Sequence, residues 1–239
     1  MTTPPKDLPP TSASARSEDA VSGAHSDSDR RAGLVPIRRL GTEHREQVTR
    51  HLLALPERDR YLRFGHMASD DQIRRYTDSL HFDLDTIFGI FNRKLELLAM
   101  AHLAFVQRWG QEPAAEFGVS VAASARGRGY GLRLIERAVT HARNEGVTQL
   151  QIHALSENTA MVRIAHVVGA AVERQGTETE AHLQLLPATL DSRVSALIDE
   201  QVAQTDYQLK LHARQLRQVF GQFRTLRERL LKAARELSP

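Results

Sequence analysis

The chain contains no cysteine. Disulfides, thiolate metal sites and a cysteine nucleophile are therefore excluded, and nothing requires an oxidising compartment. It has no apolar run approaching the ~20 residues that a bilayer-spanning helix needs. The first thirty residues carry neither the basic n-region nor the apolar h-region of a signal peptide, so the expected location is cytoplasmic. Excess charge is also scarce. The 32 Lys and Arg against 29 Asp and Glu leave +3 at neutral pH, too little to argue for nucleic acid from net charge. With 41% hydrophobic and 26% charged residues, the balance is that of a soluble globular protein.

What is present divides into three stretches: a tail over 1–32, a folded domain over 33–187 and a heptad-patterned helix over 188–239. Residues 1–32 are rich in Pro, Ser, Thr, Ala and Asp. They cannot bury enough surface to offset their ordering entropy and read as disordered. The domain opens with Leu34-Val35-Pro36-Ile37 as a strand, and Thr42 is placed to cap a helix whose apolar face is Val48, Leu52, Leu53 and Leu55. Pro56 should break that helix. The segment from Glu57 to Phe64 mixes charges with Tyr61, Leu62 and Phe64; packing into the core is the expected role, and lying over a cleft is the alternative. Ser69 with Gln72 forms a capping-box pattern before a helix through Ile73, Tyr76, Thr77 and Leu80.

From Thr86 the apolar period changes to that of strands. Residues 86–91 and 95–106 flank Asn92-Arg93-Lys94 as an antiparallel hairpin, and Glu116 to Ala122 forms a further strand. An amphipathic helix over 132–143, a strand through Leu150, Ile152 and Ala154, a helix from Met161 to Gly169, and a hairpin across Gly176 follow. One strand-helix-strand unit among antiparallel strands predicts an α+β fold with a mixed, mostly antiparallel sheet flanked by helices.

The strongest chemical signal is the loop Arg126-Gly127-Arg128-Gly129-Tyr130-Gly131, set between a β-branched strand and an amphipathic helix. Three glycines leave backbone N–H groups unobstructed at the positive end of a helix dipole, which makes an anion site. The dinucleotide fingerprint is rejected, because the third glycine comes one residue early and the next strand ends Ala154-Leu155-Ser156 without an acidic residue. The P-loop is rejected too, since no Gly-Lys-Ser/Thr appears.

Ala115-Glu116-Phe117-Gly118-Val119-Ser120-Val121, then Arg126-x-x-Gly129-x-Gly131-Leu132, then Leu155-x-x-Asn158 and Met161 to Gly169-Ala170 resemble the acyl-CoA signature of the GNAT N-acetyltransferase superfamily. The resemblance covers residues 34–186. Within the superfamily, Arg60-Tyr61-Leu62-Arg63-Phe64 and Ala-Glu-Phe-x-Val-x-Val are most similar to the acetyltransferase domain of bacterial protein-lysine acetyltransferases. It implies transfer of an acetyl group from acetyl-CoA to an amine, small-molecule or protein, with no metal. It implies that the N–H groups from Arg126 through Gly127, Arg128, Gly129, Tyr130 and Gly131 to Leu132 hold the CoA pyrophosphate. Main-chain groups of Val119 and Val121 would pair with the pantetheine arm, Asn158 would touch the cofactor near the thiol, and a strand N–H would polarise the thioester. The incoming amine must lose a proton, and Glu116 is the expected base; a solvated strand-end glutamate is the plain alternative. His102, His153 and His166 are weaker candidates. Ala165 stands where many relatives carry a tyrosine that protonates the leaving thiolate. That substitution keeps a second reading open, a non-catalytic CoA-binding regulatory module signalling through the C-terminal helix.

That helix has its own pattern. Val202, Thr205, Leu209, His212, Leu216, Val219, Phe223, Leu226, Leu230, Ala233 and Leu237 alternate spacings of 3 and 4, a coiled-coil seam. At ~1.5 Å per residue it would run about 54 Å, long enough to meet another surface, in a homo-oligomer or a helix partner. From Tyr207 to Arg235 it carries eight Lys and Arg against Glu228 alone. A solvated basic face is the expected reading; nucleic acid or a membrane is the alternative.

Overall fold

The computed structural model describes residues 35–106, 112–188, 203–208 and 210. Seven strands form one sheet in the order β1-β2-β3-β4-β5-β7-β6. They are β1 (Arg38–Leu40), β2 (Thr86–Phe91), β3 (Leu97–Val106), β4 (Ala114–Val121), β5 (Gln149–Leu155), β6 (Ala171–Gln175) and β7 (Glu178–Gln184). Every neighbouring pair is antiparallel except β4 and β5. That parallel pair is joined by the helix α4 (Tyr130–Asn144), the crossover expected from the sequence. The other helices are α1 (Arg45–Leu53), α2 (Glu57–Phe64), α3 (Asp70–Asp78) and α5 (Thr159–Val167).

Alternation along the central strands supplies two cores. Ala99, Ala101 and Leu103 of β3 lie opposite Val121, Val119 and Phe117 of β4, and this face receives Leu134, Ile135, Ala138 and Ala142 of α4. The other face packs Ile87, Phe91, Leu97 and Met100 under Val48 and Leu52 of α1 and Ile73 of α3. On this second face β3 and β4 carry His102, Glu116, Gly118 and Ser120, and the site is built here.

Local signals fall close to their expected places. Ser69 Oγ accepts from Gln72 N at 3.3 Å while Gln72 Oε1 accepts from Ser69 N at 2.8 Å, the reciprocal cap of α3. Pro56 separates α1 from α2 as the residue preceding Glu57. Three boundaries move. The first strand begins at Arg38, and residues 35–37, expected within it, are not part of it, while Leu34 lies outside the described residues. Gly41, not Thr42, precedes the first turn, and Thr42–His44 form a 3-10 turn ahead of α1. β3 begins at Leu97 because Leu95 adopts φ 61°, held by Asn92 Oδ1, which accepts from Lys94 N and Glu96 N.

Most of the expected seam over 202–237 lies outside the described residues. Residues 203–208 are helical, and they bury Ala203 and Tyr207 while Thr205, the expected seam position, is exposed. The Tyr207 ring stacks on the Arg38 guanidinium at 3.8 Å and meets Phe91 and His44 edge-on, so this segment contributes to the α1 core. Among the described residues no helix is long and apolar enough to cross a membrane.

Candidate active site

The parallel register of β4 and β5 lasts three residues, from Ala114 opposite Gln149 to Glu116 opposite Gln151. β4 continues to Val121 and β5 to Leu155 without pairing to each other, so the strands diverge and their facing edges hold unshared main-chain groups. A cavity of about 500 Å³ opens in the divergence. Val119, Val121, Arg126, Gly127, Gly129, Tyr130, Gly131, Leu132 and Asn158 all line it. Arg128 does not, because its guanidinium turns back onto Ser124 O at 3.4 Å.

The glycine loop is shaped for donors. Gly127 and Gly129 take φ 72° and 73°, conformations that side chains resist, and Gly129 directly precedes α4. No side chain caps α4 and no acidic residue occupies its first turn, so the amides of that turn have no competitor for an anion. Gly131 is needed for a different reason: a Cβ there would stand 2.9 Å from Ile164 Cδ1, so its absence lets α5 approach α4.

A second cavity, about 330 Å³, lies on the other side of the divergence and is lined by Glu116, Gly118, His153, Glu178 and Glu180. The two share one wall, made by Leu62, Arg63, Val119, Asn158 and Met161. Glu116 faces away from Phe117 and is exposed to this cavity. His153 lies 3.7 Å from Glu180 at the rim, while His166 is exposed on α5 and lines neither cavity. Asn158 is at the shared wall, but its polar atoms also serve the fold. Its Oδ1 accepts from Met161 N at 3.1 Å, capping α5, and its Nδ2 reaches Leu62 O at 3.4 Å. Ala165 is buried inside α5.

Helix α2 straps both cavities and buries none of its residues fully, so the cleft role of this segment is realised and the core role belongs only to the partly buried Phe64. Asp59 forms an ion pair with Arg126 across the larger cavity, and Arg58 approaches Glu157 at 4.0 Å. The sequence singled out neither Asp59 nor the next feature, although Arg60-Tyr61-Leu62-Arg63-Phe64 marked the segment. The Arg63 guanidinium lies over Gly118, where a Cβ would come within 2.6–2.8 Å of its atoms. Arg63 Nη2 donates to the Tyr76 hydroxyl at 3.1 Å, the hydroxyl donates to His102 Nδ1 at 2.9 Å, and His102 Nε2 donates to Asp85 at 3.0 Å. Burial lowers the His102 pKa, against the raising effect of Asp85, so its ring is neutral at pH 7 and can accept from Tyr76.

The arrangement fits an extended, phosphorylated donor: an open strand edge, an uncapped helix terminus behind glycines and a separate acidic chamber beyond. The family model described as acetyltransferase (GNAT) domain matches residues 35–171. The chain belongs to the GNAT acetyltransferase family. No curated protein matches it significantly by sequence. Among solved structures, the GNAT domain of S. lividans PAT superposes with a TM-score of 0.53 at 19% identity, covering 62% of this chain and 89% of that one. The ribosomal-protein-S5-alanine acetyltransferase of Vibrio fischeri gives 0.51 at 9% identity, covering 62% and 91%. The spermidine N-acetyltransferase of Vibrio cholerae, solved with CoA and spermine, gives 0.49 at 17%, covering 62% and 94%. At such identities the likeness of the first two concerns the fold alone.

Proposed function

We propose that this GNAT protein transfers an acetyl group from acetyl-CoA to a cationic amine, a protein lysine side chain among the candidates, by direct attack on the thioester. The observation that carries this reading is the shared wall: a donor-shaped cavity between diverging strands adjoins a chamber lined by Glu116, Glu178 and Glu180. Bound there, acetyl-CoA supplies an activated acyl carbon and a thiolate leaving group. The amides of residues 127–132 and Arg126 hold its phosphates, and the unpaired edge of β4 at Val119 and Val121 receives the pantetheine arm as an added strand. Three carboxylates draw an ammonium into the chamber, and Glu116, at the strand position nearest the divergence, takes its proton directly or through one water. With Ala165 buried, the thiolate takes its proton from solvent in the open cleft.

The test is thiol release with acetyl-CoA against a panel of polyamines and lysine-bearing proteins. Acceptor-dependent thiol release supports the transferase. Tight CoA binding with no release from any acceptor favours the second reading, the regulatory CoA-binding module, which the alanine at 165 supports. The seam over 202–237 supports a homo-oligomer or a helix partner, and the basic face of the same helix leaves nucleic acid as the other outcome. A chain ending at Lys210 keeps Tyr207 in its core; fewer subunits per particle in solution than the full chain supports self-association through the removed segment, and an unchanged subunit number counts against it.

A further inference from the structure

Arg63 stands where the donor and acceptor cavities share a wall, and the transfer as described makes no use of it. Its guanidinium lies on the main chain of β4 at Gly118, the residue between Phe117 and Val119, and only the absence of a Cβ allows that approach. It is aimed by a directed chain: Arg63 to the Tyr76 oxygen, Tyr76 to His102 Nδ1, His102 Nε2 to Asp85. Each link donates one way only, because a neutral His102 has one N–H and one lone pair. Among the described residues no carboxylate lies within ion-pair distance of Arg63. Its Nε is buried and has no acceptor in the protein.

We infer that Arg63 is a catalytic residue of the acyl transfer, donating to the thioester carbonyl oxygen and stabilising the negative charge that gathers there. Tyr76, His102 and Asp85 are its positioning residues. The inference rests on the acetyltransferase reading. In the reaction the amine lone pair forms the C–N bond and the carbonyl π electrons move onto oxygen. They return to re-form C=O as the C–S bond breaks; the thiolate carries away the C–S pair and takes a proton from solvent, and the nitrogen, cationic after attack, releases its excess proton to solvent. Arg63 exchanges no proton. It supplies charge and donors at a fixed place, which is where preorganised groups outperform water.

The experiment needs no acceptor. Acetyl-CoA labelled with 13C at the thioester carbonyl is bound to wild type and to Arg63→Met, and the carbonyl stretch is followed by isotope-edited infrared difference spectroscopy. A donor at the oxygen lowers that frequency. The expected result is a red-shifted band in wild type that moves back toward its solution position in Arg63→Met, with the Kd for CoA, which has no carbonyl at this site, unchanged within about twofold. Gly118→Ala, which pushes the guanidinium aside, should give the same band as Arg63→Met. Tyr76→Phe and His102→Asn should broaden it and shift it partway. With an accepted amine, Arg63→Met should lower kcat by about 100- to 1,000-fold, the loss typical of one oxyanion donor, with KM little changed and partial recovery in Arg63→Lys. An identical band in wild type and Arg63→Met overturns the inference, as does a variant that loses succinyl-CoA but not acetyl-CoA, which would place Arg63 on an acyl carboxylate instead. Should wild type bind acetyl-CoA without thiol release, the transferase reading fails, while the band still decides whether Arg63 touches the carbonyl.

Discussion

The Asp59 carboxylate of α2 is paired with the Arg126 guanidinium of the glycine loop, across the mouth of the larger cavity. The Asp59 side chain is 11% exposed and that of Arg126 52%, so the pair is anchored on the α2 side and solvated on the loop side. Phosphates entering the cavity compete with Asp59 for Arg126. Asp59→Asn removes the competitor and a like charge together. We expect the Kd for CoA to fall about fivefold, the equivalent of roughly 1 kcal/mol. Titration calorimetry at low and high salt checks this, and the gain should shrink as salt screens the loop. A weaker or unchanged affinity would show that Asp59 is not in competition with the ligand.

Glu116 lines the acceptor chamber and not the donor cavity, which separates its two possible effects. Glu116→Gln keeps the shape and removes the base. Turnover is expected to drop about 100-fold or more while CoA binding stays as in wild type. Equal rates for the two proteins would return Glu116 to the role of a solvated strand residue.

Gly129 and Gly131 should both lose stability on substitution by alanine, for different reasons. At Gly129 there is open space but φ is 73°, so the penalty is backbone strain of about 1–2 kcal/mol and a displaced loop. At Gly131 the backbone accepts alanine, but the methyl meets Ile164 Cδ1 at 2.9 Å and α5 must yield. Pairing Gly131→Ala with Ile164→Val should recover melting temperature lost by Gly131→Ala alone. The same partner should recover nothing for Gly129→Ala.

His51 is the deepest titratable group beneath the site. Its Nδ1 donates to Leu97 O at 2.9 Å and its Nε2 accepts from Ser120 Oγ at 2.9 Å, with burial as the main reason its pKa lies below 6.5. His44 and His102 are lowered by burial as well. A folded pKa below the unfolded value means that the unfolded chain binds more protons just under pH 6.5. Stability is therefore full above that pH and declines as pH falls toward the folded values. Unfolding followed calorimetrically at pH 6 in buffers of different ionisation enthalpy should show proton uptake. Proton release there would contradict the assignment.

The sequence made legible whatever is local or periodic. The Ser69–Gln72 cap, the α4 face of Leu134, Ile135, Ala138 and Ala142, and the glycine loop each follow from spacing over a few residues. What escaped depends on residues far apart in the chain. Arg63, Tyr76, Asp85 and His102 come from α2, α3, the approach to β2 and β3, and no spacing rule joins them. His102 was visible only as one histidine among several. The Asp59–Arg126 pair was hidden for the same reason, its partners standing 67 positions apart. Thr205 was expected in a seam because a heptad pattern assumes one partner for the whole helix, whereas residues 203–208 bury Ala203 and Tyr207, with Tyr207 in the domain's own core.

The divergence of β4 and β5 divides the protein's chemistry by the kind of atom that carries it. On the donor side recognition is assigned mainly to peptide groups, which point substitutions cannot delete. On the acceptor side the proposed transfer assigns it to the side chains of Glu116, Glu178 and Glu180, each of which one codon change can replace. In the proposed transfer, single substitutions can therefore alter the choice of amine without touching the groups that hold the acyl carrier.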